Sequence, residues 1–435
     1  MYRKAFALMA LVVVAGLVLT ACAPQTVTVT VPVKETVQVP VEKTVVVPAE
    51  RVTVRLSGWA ANPQETALLE SLLYRFSVEN PDIVVKYEPI TGDYWQAIKT
   101  LVGAGEEPDI YYMDIFQFPF FAKEGVLLPL DDLMASTGTS RDVFIPDLIN
   151  AFTYEGKTYG IPKDFNTLAL FYNKDLFDQA GLAYPTDNWT WDDLKAAAQK
   201  LSQPDKNIYG LGVPADPGRF PIFVFQNGGR IMTEDFSDTL LDSPEVVEAA
   251  RFYTGFYFDK SGALPSDVGE GWQGTAFGKG NFAMVYEGGW LIPYLNQQFP
   301  DLKYSAVLPP KGPKGYGNLI FTVAYVISKN SKNPEAAWKV IEFITNEASQ
   351  TTVLESGFAL PSRAALINHP YFQSHPESAT IFRGATGATP FMWGLYGSDV
   401  NEKMGQALER IYLKGQDPEA SFRQAAQELR EILGK

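Results

Sequence analysis

The order of short apolar runs and amphipathic stretches between residues 52 and 113 constrains the fold more than any other feature of this chain. Residues 52–56 and 83–87 are short runs rich in β-branched side chains, as is typical of strands. Stretches with helical spacing follow each of them, and residues 109–113 form a third apolar run. Strands that alternate with helices form parallel sheets, so this order predicts a doubly wound α/β fold.

Two residues follow the ends of predicted strands and are therefore candidate ligand contacts. Ligands of parallel α/β sheets bind beyond the carboxyl ends of the strands. Trp59 follows the first predicted strand and Asp114 the third. The carboxylate of Asp114 suits either of two roles, acceptor of ligand hydroxyl groups or cap of the next helix, and the sequence leaves both open.

The beginning of the chain predicts export and a lipid anchor. Residues 1–21 have a basic start and an apolar run of fifteen residues, which is short for a membrane span and fits a signal peptide. Leu-Thr-Ala-Cys follows at once and resembles the bacterial lipobox. Cys22 is the only cysteine of the chain, and we expect it to be lipidated. The protein would then be tethered to the outer face of the cytoplasmic membrane.

Residues 22–51 carry the predicted lipid and continue as a stalk rich in valine and proline. Proline recurs every eight residues, at Pro32, Pro40 and Pro48, between valines and threonines. Such a sequence disfavours helices and weakens sheet pairing. We expect a spacer between the membrane and a globular body that begins near residue 52.

Composition and charge exclude several classes of function. With 36 Lys and Arg against 50 Asp and Glu, the chain lacks the basic balance that binding to nucleic acid requires. One cysteine and two histidines exclude a zinc finger or an iron–sulfur cluster and provide almost no material for a Ser-His-Asp triad. We therefore expect no metal site and no cofactor. Aromatic residues make up 13% of the chain, and many are next to Gly, Asn or Asp.

Several segments in a fixed order resemble one protein family. They are Glu-Pro-Asp-Ile-Tyr-Tyr-Met-Asp at 107–114, Ala-Lys-Glu-Gly-Val-Leu-Leu-Pro-Leu at 122–130, Tyr-Gly-Ile-Pro at 159–162, Phe-Gly-Lys-Gly-Asn-Phe-Ala-Met at 277–284 with Gly-Gly-Trp at 288–290, and Ser-Lys-Asn-Pro-Glu-Ala-Ala-Trp at 331–338. Together they resemble the sugar-binding extracellular solute-binding proteins (family 1), relatives of maltose-binding protein that serve ABC transporters. The resemblance covers nearly all of residues 52–435.

The resemblance implies a two-lobed, type II periplasmic-binding-protein-like fold. Its two α/β lobes would be joined by crossover hinge strands, with the ligand held in the cleft between them. Lobe 1 would comprise residues 52–164 and 309–362, and lobe 2 residues 165–308 and 363–435.

Tryptophans are the candidate stacking residues for a sugar. An aromatic ring covers the C–H face of a pyranose. Trp290 follows a glycine pair at the position where the family offers a stacking aromatic, and Trp393 lies in a Gly-rich loop that resembles a second such position. Trp59 is the third candidate. For Trp290, packing in the core after a buried strand is the alternative.

The polar candidates lie in the expected crossover or in turns, and they would bond the hydroxyl groups of a sugar. They are Asp164, Asn166, Asp216, Arg219, Asn227 and Arg363. For Asn227 the alternative is a simple chain reversal, and for Arg363 it is a salt bridge between the lobes.

The implied function is capture of a mono- or oligosaccharide and its delivery to the permease of an ABC transporter by a monomeric receptor that does no chemistry. Two alternatives stay open. An exported lipoprotein enzyme acting on glycosides needs two carboxylates roughly 5–10 Å apart across a cleft, and the acids of this chain do not exclude it. The same fold could also bind a polyamine, a metal chelate or a phosphorylated polyol.

Overall fold

A computed structural model describes residues 51–59 and 63–435. The predicted signal peptide, Cys22 and nearly all of the stalk lie outside the described residues. Within the described residues, no helix combines the length and apolarity needed to cross a membrane.

The described chain alternates strands and helices. The strands are β1 Val52–Ser57, β2 Ile83–Tyr87, β3 Ile110–Asp114, β4 Thr153–Tyr154, β5 Lys157–Thr158, β6 Gly160–Thr167, β7 Ala169–Asn173, β8 Tyr209–Gly212, β9 Gly262–Ala263, β10 Phe282–Glu287, β11 Tyr304–Val307, β12 Leu319–Ile327 and β13 Thr389–Pro390. The α-helices are α1 Pro63–Glu79, α2 Tyr94–Ala104, α3 Phe118–Lys123, α4 Asp131–Thr137, α5 Pro146–Ala151, α6 Lys174–Gln179, α7 Trp191–Leu201, α8 Pro221–Gln226, α9 Pro244–Phe258, α10 Gln273–Gly278, α11 Leu291–Gln298, α12 Pro334–Ile344, α13 Glu347–Glu355, α14 Tyr371–Ser374, α15 Pro376–Arg383, α16 Gly397–Lys414 and α17 Pro418–Ile432. Short 3₁₀ turns cover Arg141–Val143, Pro204–Lys206, Pro265–Val268, Ala364–Asn368 and Gly394–Tyr396.

Two sheets organise these elements. The first has the order β13-β12-β3-β1-β2, with β6 also paired to β12. The second has the order β11-β7-β10-β8-β9. In the first sheet β1 is parallel to both β2 and β3, which confirms the parallel arrangement predicted from the β-α-β-α-β order.

Helix starts follow the capping chemistry of the sequence. Ser243 and Asp417 cap α9 and α17, each with proline as the first helical residue. Thr190 and Asp193 form a reciprocal capping box at the start of α7. These local signals fix where the helices begin and therefore where the adjoining loops lie.

The chain passes from the first sheet to the second at Leu168, the single residue between β6 and β7. It returns between β11 and β12 and reaches the first sheet once more at β13. Each sheet has its own buried apolar cluster, and a third cluster packs around β6, β10 and β12. The residue boundaries of the two lobes stay a prediction.

Candidate functional site

A cavity of about 410 Å³ opens where β1 and β3 end, beside the middle of β6 and β12. Its lining combines aromatic rings with two carboxylates and one amide: Trp59, Asp114, Ile115, Phe116, Asp164, Asn166, Phe321, Thr322, Val323 and Phe391. Four of these, Trp59, Asp114, Asp164 and Asn166, were predicted from the sequence. The rule that ligands bind at strand ends explains Trp59 and Asp114.

Four aromatic rings are part of the cavity lining: Trp59, Phe116, Phe321 and Phe391. Trp59 is held by edge-to-face contacts with Tyr94 and Tyr112, at centroid distances of 5.2 and 5.1 Å. Phe116 stacks on Phe391 at 5.7 Å with planes 17° apart. These contacts fix the rings in place, so a ligand meets a preformed apolar wall.

Asp114 presents a partly buried carboxylate at the carboxyl end of β3. Its Oδ1 accepts a hydrogen bond from the backbone N–H of Gln117 at 2.7 Å. Gln117 is the residue before α3, and it makes no side-chain capping bond, so the bond to Asp114 closes the turn that leads into the helix. Burial raises the pKa of Asp114 to about 6, although hydrogen bonds from the backbone of Gln117 and Phe116 and from Trp95, and the charge of Lys99, act in the opposite direction. A carboxylate whose charged form is this costly gains from a hydroxyl donor on a ligand.

Asp164 and Asn166 project from the same side of β6, because side chains alternate along a strand. Phe165, which lies between them, and Lys163, which precedes Asp164, are buried. The ammonium of Lys163 forms ion pairs with Oδ2 of Asp164 and, at 3.2 Å, with Glu65. Burial alone would lower the pKa of Lys163, but these carboxylates hold that pKa above its usual value.

Asn166 connects the cavity to the second sheet. Its side-chain Oδ1 accepts a hydrogen bond from the backbone N–H of Gly289 at 2.9 Å. A Cβ atom on Gly289 would lie 2.5 Å from that oxygen, so this approach requires glycine. The amide of Asn166 thus ties a cavity-lining strand to the turn that follows β10.

Trp290 lies in that turn, close to the cavity but not in its lining. Its ring meets Phe321 edge to face at a centroid distance of 5.6 Å. The indole N–H donates to Oε2 of Glu287 at 2.6 Å. A Cβ atom on Gly288 would come within 2.4 Å of the same ring, so the glycine pair sets the orientation of Trp290.

Glu287 is a fully buried carboxylate that accepts four hydrogen bonds. Besides Trp290, the donors are Nη2 of Arg219 at 2.7 Å, the indole of Trp272 at 2.8 Å and the amide of Gln273 at 3.0 Å. Each Oε atom takes two of the four donors. Glu287 therefore holds Arg219 and Trp290 in position, and Trp290 in turn contacts Phe321 of the cavity lining.

Arg219 is bound on two sides by acids. It contacts Asp216 at 3.0 Å in addition to Glu287, and its guanidinium lies 5.4 Å from the centre of the Trp290 ring. Asp216 also accepts a hydrogen bond from the backbone of Gly218 at 2.7 Å. The structure thus brings Asp216, Arg219 and Trp290 together in one cluster next to the cavity.

Three predicted site residues lie elsewhere. Asn227 is buried and donates to the carbonyl of Glu245 and to Glu248. Arg363 donates to the carbonyl of Thr345 at 2.6 Å and packs over Phe144. Trp393 is 3% exposed, and its indole donates to Asn401 at 2.8 Å. None of the three lines the cavity, and their ligand-binding roles stay predictions.

Sequence reasoning missed Phe116, Phe321 and Phe391 in the lining and Glu287 behind it. The sequence offered a signal for Phe391, because it stands two residues before Trp393 in the Gly-rich loop that was predicted to contact the ligand. Phe321 lies in a nearly continuous apolar strand, where no pattern indicates which ring faces a cavity.

A larger groove of about 940 Å³ lies beyond Asn166. It runs between α11 and the loop after α13, with Tyr294, Phe358 and Tyr371 among its rings. In contrast to the smaller cavity, it lies away from the ends of β1 and β3. Among the described residues, no cluster of His, Cys, Asp and Glu has the arrangement of a metal site.

Comparison with known proteins gives a consistent result. A family model for bacterial extracellular solute-binding proteins matches residues 72–380. A putative binding protein of Brucella abortus is 28% identical over 376 residues, which cover 84% of this chain and 90% of that protein. The maltotriose-binding protein of Pyrococcus abyssi is 25% identical over 367 residues, which cover 82% of this chain and 72% of that protein.

Solved structures show the same fold. An ABC substrate-binding protein of Listeria monocytogenes, in complex with cycloalternan, superposes with a TM-score of 0.78 and 26% identity and covers 88% of this chain and 99% of its own. This similarity confirms the predicted two-lobed α/β fold.

Proposed function

Because this chain belongs to the bacterial extracellular solute-binding protein family, we propose that it captures a carbohydrate in the 410 Å³ cavity and delivers it to an ABC-type permease. The relatives that bind maltotriose and cycloalternan support this ligand class. The observation that carries the proposal is the cavity itself, in which fixed rings stand opposite carboxylate and amide groups. That combination suits a molecule with an apolar face and a hydroxyl rim.

Each side chain has a distinct part in the proposed binding. The rings of Trp59, Phe116 and Phe391 cover C–H faces of the sugar. Oδ1 of Asp164, which Lys163 does not engage, accepts a hydroxyl hydrogen, and so does the carboxylate of Asp114. The resulting hydrogen bonds have a charged acceptor and are stronger than neutral ones.

Closure of the two lobes around the ligand would act through the segments that join the two sheets. Leu168 connects β6 of the first sheet to β7 of the second. Close to it, Asn166 of β6 accepts a hydrogen bond from Gly289, which follows β10 of the second sheet. A ligand that contacts both lobes makes more contacts when the lobes are closed than when they are open. It therefore binds the closed arrangement more tightly and shifts the protein towards it.

Family membership makes this an exported protein. We further propose that it is anchored by lipid on Cys22 and acts as a monomer. The support for the anchor is the lipobox-like sequence directly after the predicted signal peptide. Incorporation of radiolabelled palmitate in cells, abolished by Cys22→Ala, tests the anchor. Unchanged labelling of the variant would contradict it.

We also propose that the cavity does no chemistry, although Asp114 and Asp164 are two carboxylates in one cavity and the pKa of Asp114 is raised. A glycosidase uses such a pair, one residue as acid and the other as base or nucleophile. Here Asp164 is held in an ion pair with Lys163. Chromogenic glycosides incubated with concentrated protein should stay intact, and released chromophore that disappears in Asp114→Asn would favour the enzyme.

Calorimetry tests the proposed function directly. Titration of ligand-free protein with mono- and oligosaccharides should give binding by at least one of them. Trp59→Ala should weaken that binding by roughly tenfold or more, because the ring face is lost. Tyr74→Ala is the matched control, since Tyr74 is an aromatic residue on the outer face of α1 with 71% exposure. Failure of the whole panel with folded protein would contradict the proposal.

A further inference from the structure

Two buried cations near the cavity, Lys163 and Arg219, are each paired with acids of the protein, and this pairing disfavours a negatively charged ligand. Lys163 lies between Asp164 and Glu65. Arg219 lies between Asp216 and Glu287. In both cases one buried cation faces two acids, so each cluster carries a formal excess of negative charge.

The lining of the cavity has the same sign. Asp114 and Asp164 are its only charged members among the described residues. Lys99 still lowers the pKa of Asp114, but it is exposed, lies 5.4 Å from the centre of the Phe120 ring and is not part of the lining. Residues 60–62, which follow Trp59 in the chain, are Ala-Ala-Asn and carry no charge.

We propose that this cavity takes neutral and amino sugars and rejects acidic ones such as uronates and sugar phosphates. The inference rests on the proposed function and specifies its ligand class. A carboxylate or phosphate on the ligand would face Asp114 and Asp164 in a partly buried site, where like charges repel far more strongly than in water. Recognition of an anion is best served by an unpaired guanidinium or ammonium, and Lys163 and Arg219 each already contact two protein acids, with only Nε of Arg219 left without an acceptor.

The carboxylates of the lining attract an ammonium group on a ligand. An amine in place of a sugar hydroxyl can donate to Asp114 or to Oδ1 of Asp164 as a charge-assisted hydrogen bond. The rings of the lining add to this preference, because aromatic faces attract cations. An amino sugar is therefore expected to bind at least as tightly as its neutral parent.

A glycan array with matched neutral, 2-amino and uronic acid forms, from monosaccharides to tetrasaccharides, tests the inference with labelled full-length protein. We expect signal from neutral or amino members and at least roughly 30-fold weaker binding by the uronate of the same scaffold. A uronate that binds as tightly as its neutral parent would contradict the proposed rejection of acidic sugars, while the proposed binding of carbohydrate would stand. No binding by any member would overturn both.

Two variants separate direct repulsion from simple damage to the site. Asp164→Asn keeps the size of the side chain but removes a charge from the lining. The ratio of the affinity for the neutral sugar to that for the uronate should therefore fall by roughly fivefold or more. Asp175→Asn removes one charge from an exposed pair with Lys303 and serves as the matched control. Equal narrowing by both variants would show that net charge, and not the cavity, excludes acids.

Discussion

The two walls that meet at Asn166 use the same residue types differently. On the side of the first sheet, Asp164 shares Lys163 with Glu65 and still presents an oxygen to the cavity. On the side of the second sheet, Glu287 is fully buried, and both of its oxygens are saturated by protein donors. The first wall leaves acceptor oxygens available for the proposed ligand, whereas the acid of the second wall holds Trp290 and Arg219 in position.

This difference has an energetic consequence. A buried acid with four donors contributes to folding, because its loss would leave several buried donors unpaired. Asp114, in the first wall, is partly exposed and has a pKa raised by burial, so its charged form adds little to folding while its carboxylate can still accept hydrogen bonds. Substitutions in the two walls should therefore separate stability from affinity.

The largest effect is expected at Glu287. Glu287→Ala would leave the buried guanidinium of Arg219 with Asp216 alone and would remove the acceptor of Trp290 and Trp272. We expect the free energy of unfolding to fall by about 3–5 kcal/mol, measured by urea denaturation. Asp175→Ala, in the exposed pair with Lys303, should change it by less than about 1 kcal/mol. Equal losses in the free energy of unfolding for the two variants would contradict the structural role proposed for Glu287.

Lys163→Met should destabilise less, by about 2–3 kcal/mol at pH 7, because Glu65, whose pKa burial already raises, can take up a proton. Without the ammonium, Asp164 and Glu65 repel each other, and protonation of Glu65 relieves the repulsion. The loss should therefore shrink when unfolding is measured at pH 5 instead of pH 7. A loss that grows at the lower pH would contradict this explanation.

Asp114→Asn should weaken sugar binding by about tenfold, since it removes a charged acceptor. Unlike the Glu287 variant, it should not destabilise the protein at pH 7. The raised pKa of Asp114 means that the folded state holds this proton more tightly than the unfolded chain does. The contribution of Asp114 to stability is therefore lost as pH rises from about 4 through 6, and it is absent at pH 7.

The same pKa predicts how binding depends on pH. The groups that face the carboxylate are the backbone amides of Gln117 and Phe116, the side chain of Trp95 and the charge of Lys99. Affinity should rise by up to about tenfold between pH 5 and pH 7 in wild type, as Asp114 ionises, and should be nearly flat in Asp114→Asn. Calorimetry of both proteins across this range provides the test, and parallel pH profiles would assign the titration to another group.

The smallest effect on affinity is expected at Trp393, which is buried away from the cavity lining. Trp393→Phe removes the hydrogen bond to Asn401 and some packing, so we expect the free energy of unfolding to fall by about 1–2 kcal/mol. Sugar affinity should stay within about twofold of wild type. A loss of affinity comparable to that of Trp59→Ala would support the ligand-stacking role predicted for Trp393 and contradict this expectation.

Local patterns in the sequence were sufficient for the parallel α/β arrangement, whereas the two-lobed fold was implied by the family resemblance. The periodicity of residues 52–113 and the capping residues before α7, α9 and α17 each act within a few residues, so they can be read without a structure. The same holds for Trp59 and Asp114, whose places depend on strand ends.

The environment of each site residue could not be read in this way. Glu287 and Arg219 are 68 residues apart in the chain, and Glu287 and Trp272 are 15 apart. Only the packing of β10 against neighbouring segments brings them together. Trp393 has an aromatic neighbourhood in sequence that resembles a stacking site, but tertiary packing buries it.

A crystal structure of the protein with the carbohydrate that it binds tests the central claim most directly. We expect a sugar ring in the 410 Å³ cavity, with one face against Trp59 or Phe391 and hydroxyl groups within hydrogen-bond distance of Asp114 and Asp164. A sugar in the 940 Å³ groove beside Tyr294 and Tyr371, with the smaller cavity filled only by water, would contradict it.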